Sequence, residues 1–356
     1  MQYKILIISN LYPSVKTPFY GSFVKNFVEQ IRADERVGNV RCALLKGRHN
    51  SFLSKIWAYL KFYIRIFYLA IFYNYDLIYV HLITHSTLPL RIIGCFKKLE
   101  IVFNIHGEDL LVTTPLAKIL LHCALPMLYK AKAIVVPSNY FKEIVKGQLP
   151  RLDSKKIIVS ASGGVGKIFF IPVNCKSHKP LRIGYVSRID RGKGWNVLLK
   201  AIQVLNRKNV DVEVEIVGDG SEKSQLLAYI GNNHLGNVRY LGPLAYNELP
   251  AFYGTLDLFV FPTQLRESLG LVGLEAMASG VPVIASRMGG IQDYLIDGIN
   301  GYFFESGDFE GLASKIEYFS TLTLECKFGM SQSAQTTARE YASEKVASSL
   351  FDKLFI

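Results

Sequence analysis

Cysteine is sparse and badly placed for chemistry. The five residues Cys42, Cys95, Cys123, Cys175 and Cys326 are scattered over 356 positions, with no Cys-x-x-Cys pair. An odd, dispersed set excludes a disulfide framework and a thiolate metal site, and fits reduced thiols. No Asp-x-Asp pair occurs, so a metal bridging carboxylates to a phosphate is not expected. His81 and His85 lie four apart but lack the glutamate of a His-Glu-x-x-His zinc motif. The run Gly163-Gly164-Val165-Gly166-Lys167 is no phosphate-binding loop, because position 161 is Ala and Ile168 follows the lysine. The first strand is not followed by Gly-x-Gly-x-x-Gly, which argues against a nicotinamide dinucleotide site. Tyr and Phe are abundant without an RNA-binding signature, so no nucleic-acid partner is expected. The chain opens directly into a strand, Tyr3 to Ser9, so a secretory leader is not expected either.

Apolar residues, by contrast, make up 50% of the chain, and no segment has the composition of disorder. That supplies two cores, and the length suits two domains better than one. Charge divides between them. Residues 1–165 hold 22 Lys/Arg and 9 Asp/Glu, a net of +13, while residues 166–356 hold 19 and 20, a net of −1. A basic first half points to a polyanionic partner: a membrane surface, nucleic acid or an acidic substrate.

Short β-rich runs alternate with amphipathic stretches. Strands are predicted at Lys4–Ser9, Val40–Leu45, Leu77–His81, Ile101–Ile105, Ala133–Val136 and Ile157–Ser160. Gly163 to Pro180 is rich in breakers and reads as a linker. The pattern then restarts, with strands at Leu181–Ser187, Val212–Val217, Val238–Leu241, Leu256–Phe261, Val281–Ala285 and Gly301–Phe303. This βαβα order implies two α/β, doubly wound parallel sheets in series. Ser138 and Asn139 read as the start of a helix.

Ser51–Tyr73 is apolar and aromatic, but Lys55, Lys61 and Arg65 interrupt it, which argues against a membrane span. It reads either as a helix covering the first sheet or as one lying on an anionic bilayer.

Two strings carry chemistry. Arg266-Glu267-Ser268-Leu269-Gly270-Leu271-Val272-Gly273-Leu274-Glu275 follows the Leu256–Phe261 strand. Glu267 then falls in the loop, a helix opens near Gly270, and Glu275 sits in its second turn. Ligands of open α/β sheets bind at the carboxyl ends of strands. Both carboxylates are therefore expected to face that crevice, with the free N–H groups near Leu269–Val272 offered to an anion. Hydroxyl-binding carboxylates beside an amide cup suit a nucleotide-sugar. In Gly184-Tyr185-Val186-Ser187-Arg188-Ile189-Asp190-Arg191-Gly192-Lys193-Gly194, Arg188 leaves a strand and Lys193 precedes a helix. The two cations suit a diphosphate, one as a planar fork and the other as a point charge.

With these strings the sequence resembles family four of the retaining glycosyltransferases, which have the GT-B fold: two Rossmann-like domains facing across a cleft. The resemblance runs along nearly the whole chain. It includes Gly21-Ser22-Phe23-Val24, His106-Gly107-Glu108-Asp109, Ser187-Arg188 with Lys193-Gly194, and Val217-Gly218-Asp219-Gly220. It continues through Leu241-Gly242, the Glu267 and Glu275 pair, Met288-Gly289-Gly290-Ile291-Gln292-Asp293 and Ala338-Arg339-Glu340-Tyr341-Ala342-Ser343. Two positions depart from the family pattern: Asp293 stands where a glutamate is usual, and Gly163-Gly164-Val165-Gly166 where Asn-Gly-Val-Asp is usual.

The resemblance implies an acceptor-side domain at 1–165, a nucleotide-sugar domain at 166–335 and a last helix at 336–356 crossing back to the first domain. It implies that Arg188 and Lys193 bind the diphosphate and Glu275 the ribose, and that Glu267, with His106 one of two catalytic residues, contacts the donor-sugar hydroxyls or steadies the reacting face. His106 would lie beside the donor sugar and Gly21 would admit the phosphate. Gly218, Leu241 and the Gly270–Leu271–Val272 amides would complete the donor site. It further implies metal-independent sugar transfer to a glycan or lipid-linked acceptor in cell-surface polysaccharide or lipopolysaccharide synthesis, on the cytoplasmic face of a membrane. The alternatives are a sugar-nucleotide epimerase or phosphorylase of the same shape, or an inactive sugar-nucleotide-binding subunit.

Overall fold

The computed structural model describes the chain except residues 1, 16, 18, 19, 48–50, 108, 113, 174–177 and 356, and the Ser22 side chain. Glu108 and Cys175 thus lie outside the described residues. The chain divides into two compact units, residues 1–163 with 344–356, and residues 164–343.

In unit 1 the order is β1 (Tyr3–Tyr12), α1 (Ser22–Ala33), β2 (Val37–Lys46), α2 (Phe52–Phe72), β3 (Leu77–His81), α3 (Ile83–Ile93), β4 (Ile101–Asn104), α4 (Pro115–Lys130), β5 (Ala133–Val136), α5 (Asn139–Gln148) and β6 (Ile157–Val159). The six strands form one parallel sheet, ordered β2-β1-β3-β4-β5-β6. Alternate residues of a strand point to opposite faces. Leu6 and Ile8 accordingly join a core with α2, α3, α4 and α5, while Ile5 and Ile7 join one with Val24, Phe27 and Ile31 of α1.

In unit 2 the order is β7 (Leu181–Val186), α6 (Trp195–Arg207), β8 (Val212–Val217), α7 (Lys223–Asn232), β9 (Val238–Gly242), α8 (Leu249–Tyr253), β10 (Leu258–Phe261), α9 (Leu271–Ala278), β11 (Val283–Ser286), β12 (Gly301–Phe304), α10 (Phe309–Thr321) and α11 (Leu324–Glu340). Its parallel sheet runs β12-β11-β10-β7-β8-β9. Counting strands within the unit, this is the 3-2-1-4-5-6 order of a doubly wound nucleotide fold, whose order reverses between β7 and β10.

All twelve expected strands are present; β3, β5 and β8 have the expected ends, and the other nine differ by one to three residues at one or both ends. β11 begins two residues later than expected because Pro282 has no N–H to give to the ladder, although its carbonyl accepts from Phe259 N at 2.9 Å. β1 extends to Tyr12, paired with Lys46 at the end of β2.

The last helix, α12 (Ser343–Leu354), returns to unit 1. Leu350, Phe351 and Leu354 enter the core of Ile5, Val24 and Phe27, and Phe355 stacks on Tyr3 at 4.5 Å between ring centroids. Residues 336–343, expected to cross back, instead stay with unit 2. Gln335 of α11 holds the carbonyls of Ile171 and Ala278 at 2.7 and 2.9 Å, and Val165 N donates to Tyr341 O at 2.8 Å. These same contacts tie the glycine-rich linker down: Phe169 is fully buried and its carbonyl accepts from Ser279 Oγ at 3.1 Å.

Candidate functional site

The reversal point of the unit 2 sheet gathers one group of the expected residues. β7 ends at Val186, and the following loop carries Arg188, Asp190 and Lys193 to the start of α6. β10 ends at Phe261, and its loop carries Thr263 and Glu267 to the start of α9. Lys193 Nζ lies 2.7 Å from Glu267 Oε1, with the two side chains only 13% and 17% exposed. Thr263 Oγ1 donates to the same carboxylate oxygen at 2.9 Å, and Tyr185 hydroxyl donates to Lys193 O at 3.1 Å. A cation and a carboxylate 74 residues apart are thus fixed together beside two adjacent strand ends.

Glycines make the close approach possible. Gly194 has φ +82°, and a Cβ there would lie 1.8 Å from Pro262 O. Gly218, after β8, has φ +137°, and its Cβ would lie 1.8 Å from Ser187 O. The Gly289-Gly290 turn clamps the other side, with Gly290 N donating to Glu267 O at 2.9 Å. Gly270 caps α9 at φ +85°, and its carbonyl accepts from Tyr294 hydroxyl at 3.0 Å. The N–H groups of Leu271 and Val272 sit in the first helical turn, where no intrahelical acceptor exists.

Arg188 is 60% exposed and reaches Asp190 at 3.2 Å. Asp190 also accepts from Ser221 N and Oγ, both at 2.8 Å, which couples this loop to the one after β8. Those Ser221 bonds, the backbone one foremost, hold the Asp190 carboxyl below its ordinary range. Leu241, at the end of β9, is exposed. Asp293 ends the Gly-Gly turn, and its carbonyl accepts from Tyr341 hydroxyl at 3.1 Å.

Glu275 does not behave as expected. Its side chain is not presented openly beside Glu267; it is buried, with Tyr253 hydroxyl 3.5 Å from Oε2. Burial pushes its pKa up to about 8, opposed only weakly by the Tyr253 bond. The reason is helical geometry: Glu275 lies in the second turn of a helix buried from Gly273 to Ala278. A carboxyl protonated when folded and ionised when unfolded destabilises the fold as pH rises from the ordinary value, near 4.5, to about 8. Glu275→Gln is therefore expected to melt several degrees above the parent at pH 8 and at the parent's temperature at pH 4.5. Thermal melts across that range check it, and a pH-independent difference would refute it.

Unit 1 carries a second cluster at its own reversal point, between β1 and β3. Gly21 opens α1 at φ +75°, where a Cβ would lie 2.7 Å from the Leu11 carbonyl carbon. Phe23 packs on the His106 ring at 4.5 Å. His81, ending β3, lies 3.1 Å from His106 through Nδ1 and Nε2. Burial pushes the His106 pKa down to about 4, and burial together with His106 holds His81 well below the ordinary range, so both rings are neutral at pH 7. Asp109 accepts from the N–H groups of His106 and Gly107 at 3.0 Å, and burial pushes its pKa up to about 6. His85 stands apart, against the Tyr59 ring.

Thr263, Tyr253, Phe23 and Asp190 were not singled out as site residues by sequence. Phe23 and Asp190 lie inside the quoted strings, but Thr263 and Tyr253 carry no local signal. Among the described residues no three His, Cys, Asp or Glu side chains gather to hold a metal, and no helix is long and apolar enough to cross a membrane.

Residues 167–337, most of unit 2, match the family model described as glycosyl transferases group 1. Similar curated proteins place the chain in the wider superfamily of glycosyltransferases. The capsular polysaccharide biosynthesis glycosyltransferase CapM of Staphylococcus aureus is 28% identical over 233 residues, covering 60% of this chain and 57% of CapM. The lipopolysaccharide 1,2-N-acetylglucosaminetransferase of Salmonella typhimurium is 28% identical over 188 residues, 48% of each chain. The chain thus spans about half the length of these relatives. Among solved structures, sucrose-phosphate synthase from Thermosynechococcus elongatus aligns with a TM-score of 0.78 at 17% identity, over 99% of both chains. Anabaena Alr3699/HepE in complex with UDP aligns with a TM-score of 0.77 at 19% identity, also over 99% of both. The fold is accordingly GT-B, with two Rossmann-like domains.

Proposed function

We propose that the protein is a retaining glycosyltransferase that moves a sugar from a nucleotide-sugar to a lipid-linked glycan acceptor. The observation carrying this is the Lys193–Glu267 pair at the strand-order reversal of a unit that matches the glycosyl transferases group 1 model. The UDP complex of the Anabaena structure supports a nucleotide-sugar donor, and the named roles of the capsule and lipopolysaccharide relatives support a cell-surface glycan.

In this reading the diphosphate lies across Arg188, Lys193 and the Leu271–Val272 amides, above Gly218 and beside Leu241. As the sugar–phosphate bond breaks, negative charge grows on the departing diphosphate, and pre-positioned donors stabilise it without reorganising. Glu267 orients Lys193 and accepts from the donor-sugar hydroxyls. Glu275 takes the ribose, its neutral carboxyl both donating and accepting.

The first test is a thermal-shift screen across UDP-, GDP- and ADP-sugars, since a ligand bound only by the folded state raises the melting point by RT ln(1 + [L]/Kd). One nucleotide class is expected to stabilise; no shift with any would sink the reading. Transfer is expected to continue in EDTA, because the cations that neutralise the leaving group are side chains. Loss in chelator, restored by Mg²⁺ or Mn²⁺, would show that Arg188 and Lys193 do not suffice.

A further inference from the structure

Helix α2 has two faces. Phe62, Ile66, Leu69 and Ala70 are buried against the unit 1 sheet. The other face leaves Trp57 61%, Ile64 58% and Phe72 72% exposed, and Phe52, which opens the helix, is exposed as well. Further large apolar side chains are exposed at Ile92 on the adjoining α3, at Phe96 just beyond its end, and at Leu116 and Ile119 on α4. Large apolar side chains left bare beside a charged groove mark a surface for a partner or a membrane.

Between α2 and β2, the edge strand of the sheet, runs a groove of about 770 Å3. Leu44, Trp57, Phe62 and Tyr68 make its apolar walls, and Lys46, Lys61 and Arg65 stand along it. A second hollow of about 300 Å3 shares Leu44, Lys46 and Arg65 and adds Arg32. Arg65 Nε donates to Cys42 O at 2.8 Å, which covers part of the strand edge and fixes the guanidinium at the junction. Among the described residues no acidic side chain lines either hollow, and the α2 sequence contains none.

An apolar trough with cations and no carboxylates is complementary to an amphiphile with a phosphate head and hydrocarbon tails. The exposed apolar side chains of α2 beside it are complementary to the bilayer such a lipid belongs to. We infer that the α2 face docks on an anionic phospholipid bilayer, with one lipid's phosphate among Lys46, Lys61 and Arg65 and its tails along Trp57 and Tyr68. The inference rests on the proposed transferase only for its purpose, which is to hold unit 1 where a lipid-linked acceptor is found; the binding stands on the groove itself.

The test uses the full chain with vesicles of phosphatidylcholine, alone or with a third phosphatidylglycerol. Trp57 reports docking directly, because the other tryptophan, Trp195, is buried in unit 2. Flotation with the anionic vesicles, weakened by salt, and a blue shift of Trp57 emission are expected. Lys46→Glu/Lys61→Glu should lose about tenfold or more in vesicle affinity, and the shift with it. Lys142→Glu/Lys146→Glu makes the same charge change on α5, which packs on β5 and β6 at the far edge of the sheet, and should retain both. Ile64→Gln leaves the charge untouched and should weaken binding through the apolar face alone. Equal losses in the two charge-reversed pairs, or binding without a Trp57 shift, would overturn the groove. If vesicle binding fails while a nucleotide-sugar still raises the melting point, the groove falls and the transferase reading stands. The converse result would do the opposite.

Discussion

Glu267→Gln and Lys193→Ala are each expected to lower sugar transfer by about 100- to 1,000-fold, the scale on which removal of one pre-organised charge-stabilising group is felt. The two side chains meet at 2.7 Å and are mostly shielded from solvent. Removing either leaves the other's charge without its partner, so both substitutions disturb one unit. The double variant should consequently be little worse than the worse single one, because groups acting as a unit are strongly non-additive. Lys193→Ala should also weaken donor binding, whereas Glu267→Gln should act mainly on turnover, since the amide still accepts from Thr263 and the donor sugar. Steady-state rates with donor titrations, run beside thermal melts to exclude unfolding, separate these outcomes. Turnover untouched in both single variants would remove the site assignment altogether.

Gly194→Ala is expected to cost unit 2 about 3 kcal/mol or more. Positive φ alone costs a non-glycine residue about 1–3 kcal/mol. Here the added Cβ would also meet Pro262 O at 1.8 Å, backbone that cannot move without shifting the end of β10. For a unit of this size, that is a drop of roughly 6–12 °C in the melting of unit 2. Donor binding should fall as well, because Lys193 is the preceding residue and Pro262 leads into the Thr263–Glu267 loop. Gly231→Ala is the control: it lies in α7, with nothing within 4 Å of the added Cβ. It should be neutral or raise stability by about 0.5–1 kcal/mol, since alanine is the better helix former. Calorimetry of both variants decides, and a Gly194→Ala protein melting with the parent would show that the approach to Pro262 relaxes freely.

Much of this architecture was legible because parallel strands buried on both faces read as continuous apolar runs. β3, β4 and β5 are buried at every position, and their sequences LIYVH, IVFN and AIVV stand out between breakers. The capping serine of α5 was legible for a local reason as well, its Oγ accepting from Phe141 N at 3.1 Å. The loop position of Glu267 and the helix start at Gly270 followed from strand, turn and glycine in order.

Contacts between distant segments were another matter. Nothing near Lys193 specifies that it meets Glu267 rather than solvent; the sheet order, by placing β7 beside β10, decides it. The meeting of His81 with His106 depends likewise on β3 lying beside β4.

The sequence by itself determined the twelve strands, the division into two α/β units and the chemical types gathered at the strand ends, because these rest on short-range periodicity, breakers and residue identity. Tertiary structure alone decided that Lys193 is neutralised by Glu267, that Glu275 is buried against Tyr253 and inclined to stay protonated, and that α2 covers the sheet with one face while leaving the other bare. Burial and pairing are properties of what surrounds a side chain, and those surroundings come from residues tens of positions away that only the packed chain brings near.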